Sequence, residues 1–205
     1  MTNRAGIIDY TMGNLRSVQK AIESVGAVAD IVSDPEDLKN YSHIILPGVG
    51  AFRDAIAELR KSGMAEAFME MVKSGRPCLG VCLGLQLLFE RSFEEGEHTG
   101  LGLLKGDVVR FEPQEGLKIP HMGWSHLIIQ RPDPLLEGIG ESPCVYFVHS
   151  YHAQAADSHD VLATSDHGSP FVAAVGRENL RACQFHPEKS QAIGLKIYDN
   201  FMRLS

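Results

Sequence analysis

Basic residues are in deficit. Lys and Arg number 19 against 26 Asp and Glu, so the chain carries a net charge of -7. That balance gives no electrostatic footprint for nucleic acid or an anionic membrane, and neither is expected as a partner. It tolerates a basic protein surface. Long apolar runs are missing too: no segment approaches the roughly 20 residues of a membrane span. The apolar run inside residues 1–9 is too short for a signal peptide and meets Asp9. A cytoplasmic protein is the expectation.

Cysteine is also sparse. The four, Cys78, Cys82, Cys144 and Cys183, form neither a disulfide framework nor a paired C-x-x-C zinc motif. Three sit in apolar runs and read as small core residues. The histidines His121, His126, His149 and His152 have no ligand spacing and no carboxylate or cysteine to complete a set, so no metal is expected. Gly100-Leu101-Gly102 follows a charged stretch instead of a strand, and its third glycine is misplaced for a dinucleotide loop. No cofactor is expected. Repeats, low-complexity tracts and linkers are lacking, which reads as one domain over residues 1–205.

What is present is a 44% hydrophobic, 22% charged globular composition and an ordered alternation. A short apolar strand at 5–8 precedes Leu15, Val18, Ile22 and Val25 at helical spacing, closed by Gly26. Strands follow at 28–32 and 43–46. Helices with Phe52, Ile56 and Leu59, and over 64–72, lead to a strand at 78–81 that runs into Cys82. Leu85, Leu88 and Phe89 continue as a helix. This predicts an α/β fold with a parallel sheet between helices. The second half holds short strands at 108–111, 125–130, 145–148, 161–165, 171–175 and 182–185. Turns separate them, which favours antiparallel pairing. Ile193, Ile197 and Phe201 suggest a closing helix. A mixed, mostly parallel central sheet with an antiparallel C-terminal part fits best.

Gly80-Val81-Cys82-Leu83-Gly84 has the form of a nucleophile elbow with cysteine in place of serine. A sharp strand-to-helix turn projects the thiol, and the glycines allow close backbone approach. The helix amino terminus favours a thiolate, and the Leu83 N–H is placed for an oxyanion. Downstream, His186-Pro187-Glu188 offers a base and a carboxylate that can fix its tautomer. Residues i and i+2 face the same way in an extended segment. Pro47-Gly48-Val49-Gly50 follows a predicted strand. It supplies either further oxyanion amides or only a turn that needs glycine.

With these pieces in place the chain resembles a class I, triad-type glutamine amidotransferase. The carrying motifs are Leu46-Pro47-Gly48-Val49-Gly50, Gly80-Val81-Cys82-Leu83-Gly84-Leu85-Gln86 and Gln184-Phe185-His186-Pro187-Glu188. Within that class it is similar to the glutaminase subunits of imidazole glycerol phosphate synthase. Asp9-Tyr10, Gly13-Asn14, Lys118-Ile119-Pro120-His121-Met122-Gly123-Trp124, Tyr146-Phe147-Val148-His149-Ser150-Tyr151 and Lys189-Ser190 carry that likeness.

The resemblance implies glutamine hydrolysis by Cys82, His186 and Glu188. It implies an oxyanion hole from Val49, Gly50 and Leu83, and substrate contacts from Gly50, Gln86, Ser150 and Tyr151. It further implies a (β/α)8-barrel cyclase partner that receives ammonia and makes imidazole glycerol phosphate and AICAR. Asn14, Trp124, Tyr146 and Lys189 would face that partner, with a buried core tryptophan as the alternative for Trp124. Ser125 stands where such proteins commonly carry Asn. The rival readings are another glutaminase of the class, of pyridoxal phosphate synthase or anthranilate synthase type, a partner-free cysteine hydrolase, and a non-catalytic subunit on the same fold.

Overall fold

Strand and helix alternate from the first described residues in a computed structural model that describes residues 3–205. The first half runs β1 Arg4–Ile8, α1 Leu15–Ser24, β2 Val28–Val32, β3 His43–Leu46, α2 Phe52–Lys61, α3 Met64–Lys73, β4 Cys78–Val81 and α4 Leu83–Leu87. The chain then turns to strands: β5 Arg91–Ser92, β6 His98–Thr99, β7 Gly106–Arg110, β8 His121–His126, β9 Ile128–Ile129, β10 Cys144–His149 and β11 Tyr151–Ala155. Three longer-range elements, β12 Val161–Asp166, β13 Pro170–Arg177 and β14 Leu180–Cys183, precede the closing α5, Gln191–Phe201.

The main sheet has the order β2-β1-β3-β4-β14-β13-β12-β9. β1 through β4 and β14 are parallel, whereas β13, β12 and β9 join antiparallel, so the sheet is mixed as expected. Two small sheets flank it, β8 with β10 and β11-β7-β5-β6. Successive strand residues face opposite layers. Ile7 and Ile45 pack with α1 and α5, while Ile8, Ile44 and Leu46 pack with α2, α3 and α4. The near-continuous apolar runs of β1, β3 and β4 are what a strand covered on both faces requires. Gly26 and Gly75, at φ +85° and +83°, end α1 and α3 in the left-handed conformation their position predicts.

Some expectations shift. The strand expected at 125–130 begins at His121, because β8 pairs residue for residue with β10 from His126↔Cys144 to His121↔His149. β11 is polar and small-residued, and its sequence had shown no strand. It forms because its backbone finds β7. The helix after Cys82 ends at Leu87, short of Leu88 and Phe89. Among the described residues no helix is long and apolar enough to cross a membrane.

β3, β4 and β14 are adjacent and parallel, so their carboxyl ends lie side by side. The loops leaving them are 47–51, the Cys82 turn and the His186 turn. Ligands of open α/β sheets bind at that edge.

Candidate active site

Cys82 leaves β4 at φ 56°, ψ -110°, a left-handed backbone in a residue with a side chain. Such a conformation is strained and persists only where its surroundings impose it. Here the flanking glycines do so. A Cβ at Gly84 would strike the Leu46 carbonyl, and one at Gly80 would lie 2.9 Å from the Gly84 oxygen. The Cys82 N–H donates to the Cys183 carbonyl at 2.8 Å, pinning the turn to β14.

The end of β14 delivers His186. Its N–H donates to the Tyr146 carbonyl at 3.0 Å, and Ser190 ties the same turn to β10: its Oγ donates to the His186 carbonyl at 2.7 Å and accepts from Tyr146 N–H at 3.0 Å. His186 Nδ1 lies 2.7 Å from Glu188 Oε1, with side chains 3% and 2% exposed. The two do not meet across an extended pleat, as i and i+2 suggested. Pro187 starts a short 3-10 turn over Pro187–Lys189, and that turn swings Glu188 back to the ring. Burial opposes charge on the imidazole. Hydrogen bonding and charge from Cys82 and Glu188 together outweigh it and raise the ring to about 10. With a carboxylate on Nδ1, Nε2 is the nitrogen left for the thiol.

A cavity of about 410 Å³ opens in front of Cys82. Val49, Gly50, Leu83, Gln86, Ser150, Tyr151 and His186 all line it, so the motifs from four separate segments converge. Gln86 is 4% exposed, and its amide nitrogen donates to the Tyr151 carbonyl at 2.8 Å and Gln184 Oε1 at 3.1 Å. The Leu83 N–H, expected to serve an oxyanion, instead donates to the Gly48 carbonyl at 3.4 Å. A carbonyl therefore stands where an oxyanion would need donors. Tyr10, buried, holds the neighbouring Pro47 carbonyl at 2.9 Å.

Sequence reasoning missed Glu94 and His149 as cavity-lining residues. Glu94 Oε2 accepts from the Phe52 N–H at 2.6 Å, which fixes the carboxylate at the start of α2. It sits in a charged run that reads as a solvated loop, and only contact with a distant helix distinguishes it. His149 was visible inside the Tyr146–Tyr151 motif but had no assigned place. Burial, chiefly, lowers it to about 3.

The remaining residues form an outer face. Trp124 is 46% exposed, which removes the buried-core alternative. Its ring meets Tyr146 edge-on at 5.9 Å, and Lys189 Nζ stands 5.9 Å over the Tyr146 ring. Met122, 65% exposed, extends the same strand. Asn14 is exposed before α1 and lines a small crevice with Val49, His186 and Glu188. Ser125 Oγ lies 3.2 Å from His121 Nε2, so the hydroxyl there anchors a neighbouring imidazole.

Residues 6–204 match the family model described as glutamine amidotransferase class-I. The imidazole glycerol phosphate synthase subunit HisH of Wolinella succinogenes is 50% identical over 97% of this chain and 98% of its own length. That of Syntrophotalea carbinolica is 52% identical over 95% of this chain and 97% of its own. A solved structure of PurLQS from Thermotoga maritima has the same fold, with TM-score 0.77 at 24% identity over 98% of each chain. The glutaminase domain of Trypanosoma brucei CTPS with bound acivicin superimposes with TM-score 0.68 at 18% identity over 98% of this chain and 92% of its own. A nucleophile elbow, a histidine–carboxylate turn and a glycine loop at one sheet edge thus occur in a chain that matches one family model almost end to end: it belongs to the class-I glutamine amidotransferases.

Proposed function

We propose that this chain is the glutaminase subunit of an imidazole glycerol phosphate synthase, feeding ammonia to a (β/α)8-barrel cyclase in histidine biosynthesis. The observation that carries the chemistry is Cys82 and the His186–Glu188 pair at the mouth of one cavity large enough for a single amino acid. Kinship of about 50% with HisH subunits over nearly the whole chain supports the pathway.

Glutamine enters with its side-chain amide toward Cys82. Its α-ammonium needs an anion, and Glu94 is the carboxylate lining the cavity. The β10–β11 junction at Ser150 and Tyr151 holds the other end. Cys82 sulfur attacks the amide carbon, and the carbonyl oxygen becomes an oxyanion. His186 passes the thiol proton to the leaving nitrogen, so ammonia departs and a glutamyl thioester remains. Water, deprotonated by the same imidazole, then splits the thioester to glutamate and free thiol. Glu188 orients the ring throughout and stabilises its charged form.

The oxyanion step needs one rearrangement. Turning the Gly48–Val49 peptide would withdraw the Gly48 carbonyl from Leu83 and present the Val49 N–H beside it. In the present geometry the Gly48 carbonyl occupies the Leu83 N–H, so little turnover is expected of the chain alone. Asn14, Trp124, Tyr146 and Lys189 form the face offered to the cyclase, and Lys189 also lines the cavity. Docking there can bear directly on the loop and the His186 turn.

The test is glutamate release from glutamine by the chain alone, with the cyclase subunit, and with the cyclase and its nucleotide ligand. Little turnover alone, strong stimulation in the full mixture, and none with Cys82→Ala are expected. Equal activity with and without the cyclase refutes the coupled-subunit reading, and an active Cys82→Ala enzyme refutes the nucleophile.

A further inference from the structure

Behind the histidine, two buried polar atoms have no hydrogen-bond partner among the described residues: Glu188 Oε2 and the Tyr198 hydroxyl. One can only accept when ionised and the other can donate. Tyr198 is wholly buried, and the Glu188 side chain is 2% exposed. Helix α5 runs directly against the His186–Glu188 turn. Gly194 approaches Pro187 so closely that a Cβ would collide with the Pro187 carbonyl. Tyr198 is four residues further along the same helical face, and helix side chains lean toward the amino-terminal end. Its ring therefore leans back toward that turn. Burial, then the charge of Glu188, holds the phenol well above its ordinary pKa, so the hydroxyl keeps its proton beside an anion.

We propose that Tyr198 is a positioning residue whose hydroxyl donates to Glu188 Oε2, fixing the carboxylate that holds His186. The contact tightens as the site engages glutamine with the charged His186 ring opposite Glu188; catalytic hydrogen bonds are often long in a resting site and shorten in the reacting complex. The bond draws negative charge off the carboxylate that faces the ring, so the imidazolium releases its proton more readily to the departing ammonia. The inference rests on the glutaminase reading of Cys82, His186 and Glu188.

Tyr198→Phe removes the oxygen and keeps the ring. Glutaminase kinetics of the cyclase-stimulated complex should show kcat reduced about tenfold, KM for glutamine unchanged, and the alkaline limb of the pH profile moved to higher pH. In the chain alone, the His186 Nδ1 proton resonance should move downfield as Glu188 becomes the stronger acceptor. An idle buried hydroxyl predicts the reverse pattern: unchanged kcat, pH limb and resonance in a protein of equal or greater stability. That result overturns the proposal. If Tyr198→Phe melts early, 3-fluorotyrosine at position 198, a better donor, should shift the Nδ1 resonance upfield, and no shift overturns the proposal equally. Absence of glutaminase activity in the unsubstituted complex refutes the function instead, and the resonance still decides the Tyr198 contact.

Discussion

Acid should loosen this protein through histidines that take no part in the triad chemistry. His121, on β8, stacks on His167 at 4.2 Å and on Phe147 at 5.1 Å. His149, on β10, sits edge-on to His121 at 5.7 Å and against Phe171 at 5.2 Å. Burial is the main cause that lowers them, to about 4 and about 3 from an ordinary 6.5, and neighbouring imidazoles add to it. A base with a lowered folded pKa costs stability where the unfolded chain binds the proton and the folded one does not. The loss starts below 6.5 and levels off below the folded values. At pH 5, about 1.5 pH units below 6.5, each ring forfeits about 2 kcal/mol, or about 4 for the pair. That is a large part of an ordinary domain stability of about 5–15 kcal/mol.

His186 runs the other way. Its pKa is raised to about 10, so its contribution is fully present below 6.5 and is lost as pH climbs toward 10. Comparison with a His121→Gln, His149→Gln variant cancels it, since both proteins carry His186. Urea unfolding of both at about pH 7.5 and about pH 5 is the assay. The native chain should lose about 4 kcal/mol more than the variant over that interval. A difference that stays constant within about 1 kcal/mol refutes the linkage argument.

Two further outcomes follow from single contacts. Glu94→Gln preserves an acceptor for the Phe52 N–H but removes the charge, so KM for glutamine should rise about tenfold or more with kcat little changed; steady-state kinetics of the stimulated complex decide it, and an unchanged KM removes Glu94 from the substrate site. The Asp133 side chain, 2% exposed, accepts from Arg181 Nε at 2.9 Å through both oxygens and from Leu135 N–H at 2.9 Å. Asp133→Ala removes the acceptor of a partly buried guanidinium and of the Leu135 amide and should cost about 1–3 kcal/mol in chemical denaturation, a loss under about 0.5 kcal/mol showing that the pair is idle.

The parts that were legible in the chain are those with local causes. Apolar runs of β1, β3 and β4, helical spacing in α1 and glycines at positive φ each record a constraint acting within a few residues. The Cys82 elbow belongs with them, because a strained turn needs Gly80 and Gly84 beside it. His186, Pro187 and Glu188 were legible as chemistry, though Pro187 builds a 3-10 turn where an extended segment was expected. What escaped depends on partners far along the chain. β11 is a strand only because β7 pairs with it, and Glu94 belongs to the cavity only because Phe52 holds it there. The Gly48 carbonyl on Leu83 and the Tyr198 hydroxyl behind Glu188 are orientations of one peptide and one side chain. Sequence alone determined which residues are candidates for cleaving an amide, because turn sterics and side-chain chemistry are local. Only the tertiary structure decided whether those residues meet and whether the oxyanion hole stands open, because both depend on which distant backbone groups a folded sheet edge brings together.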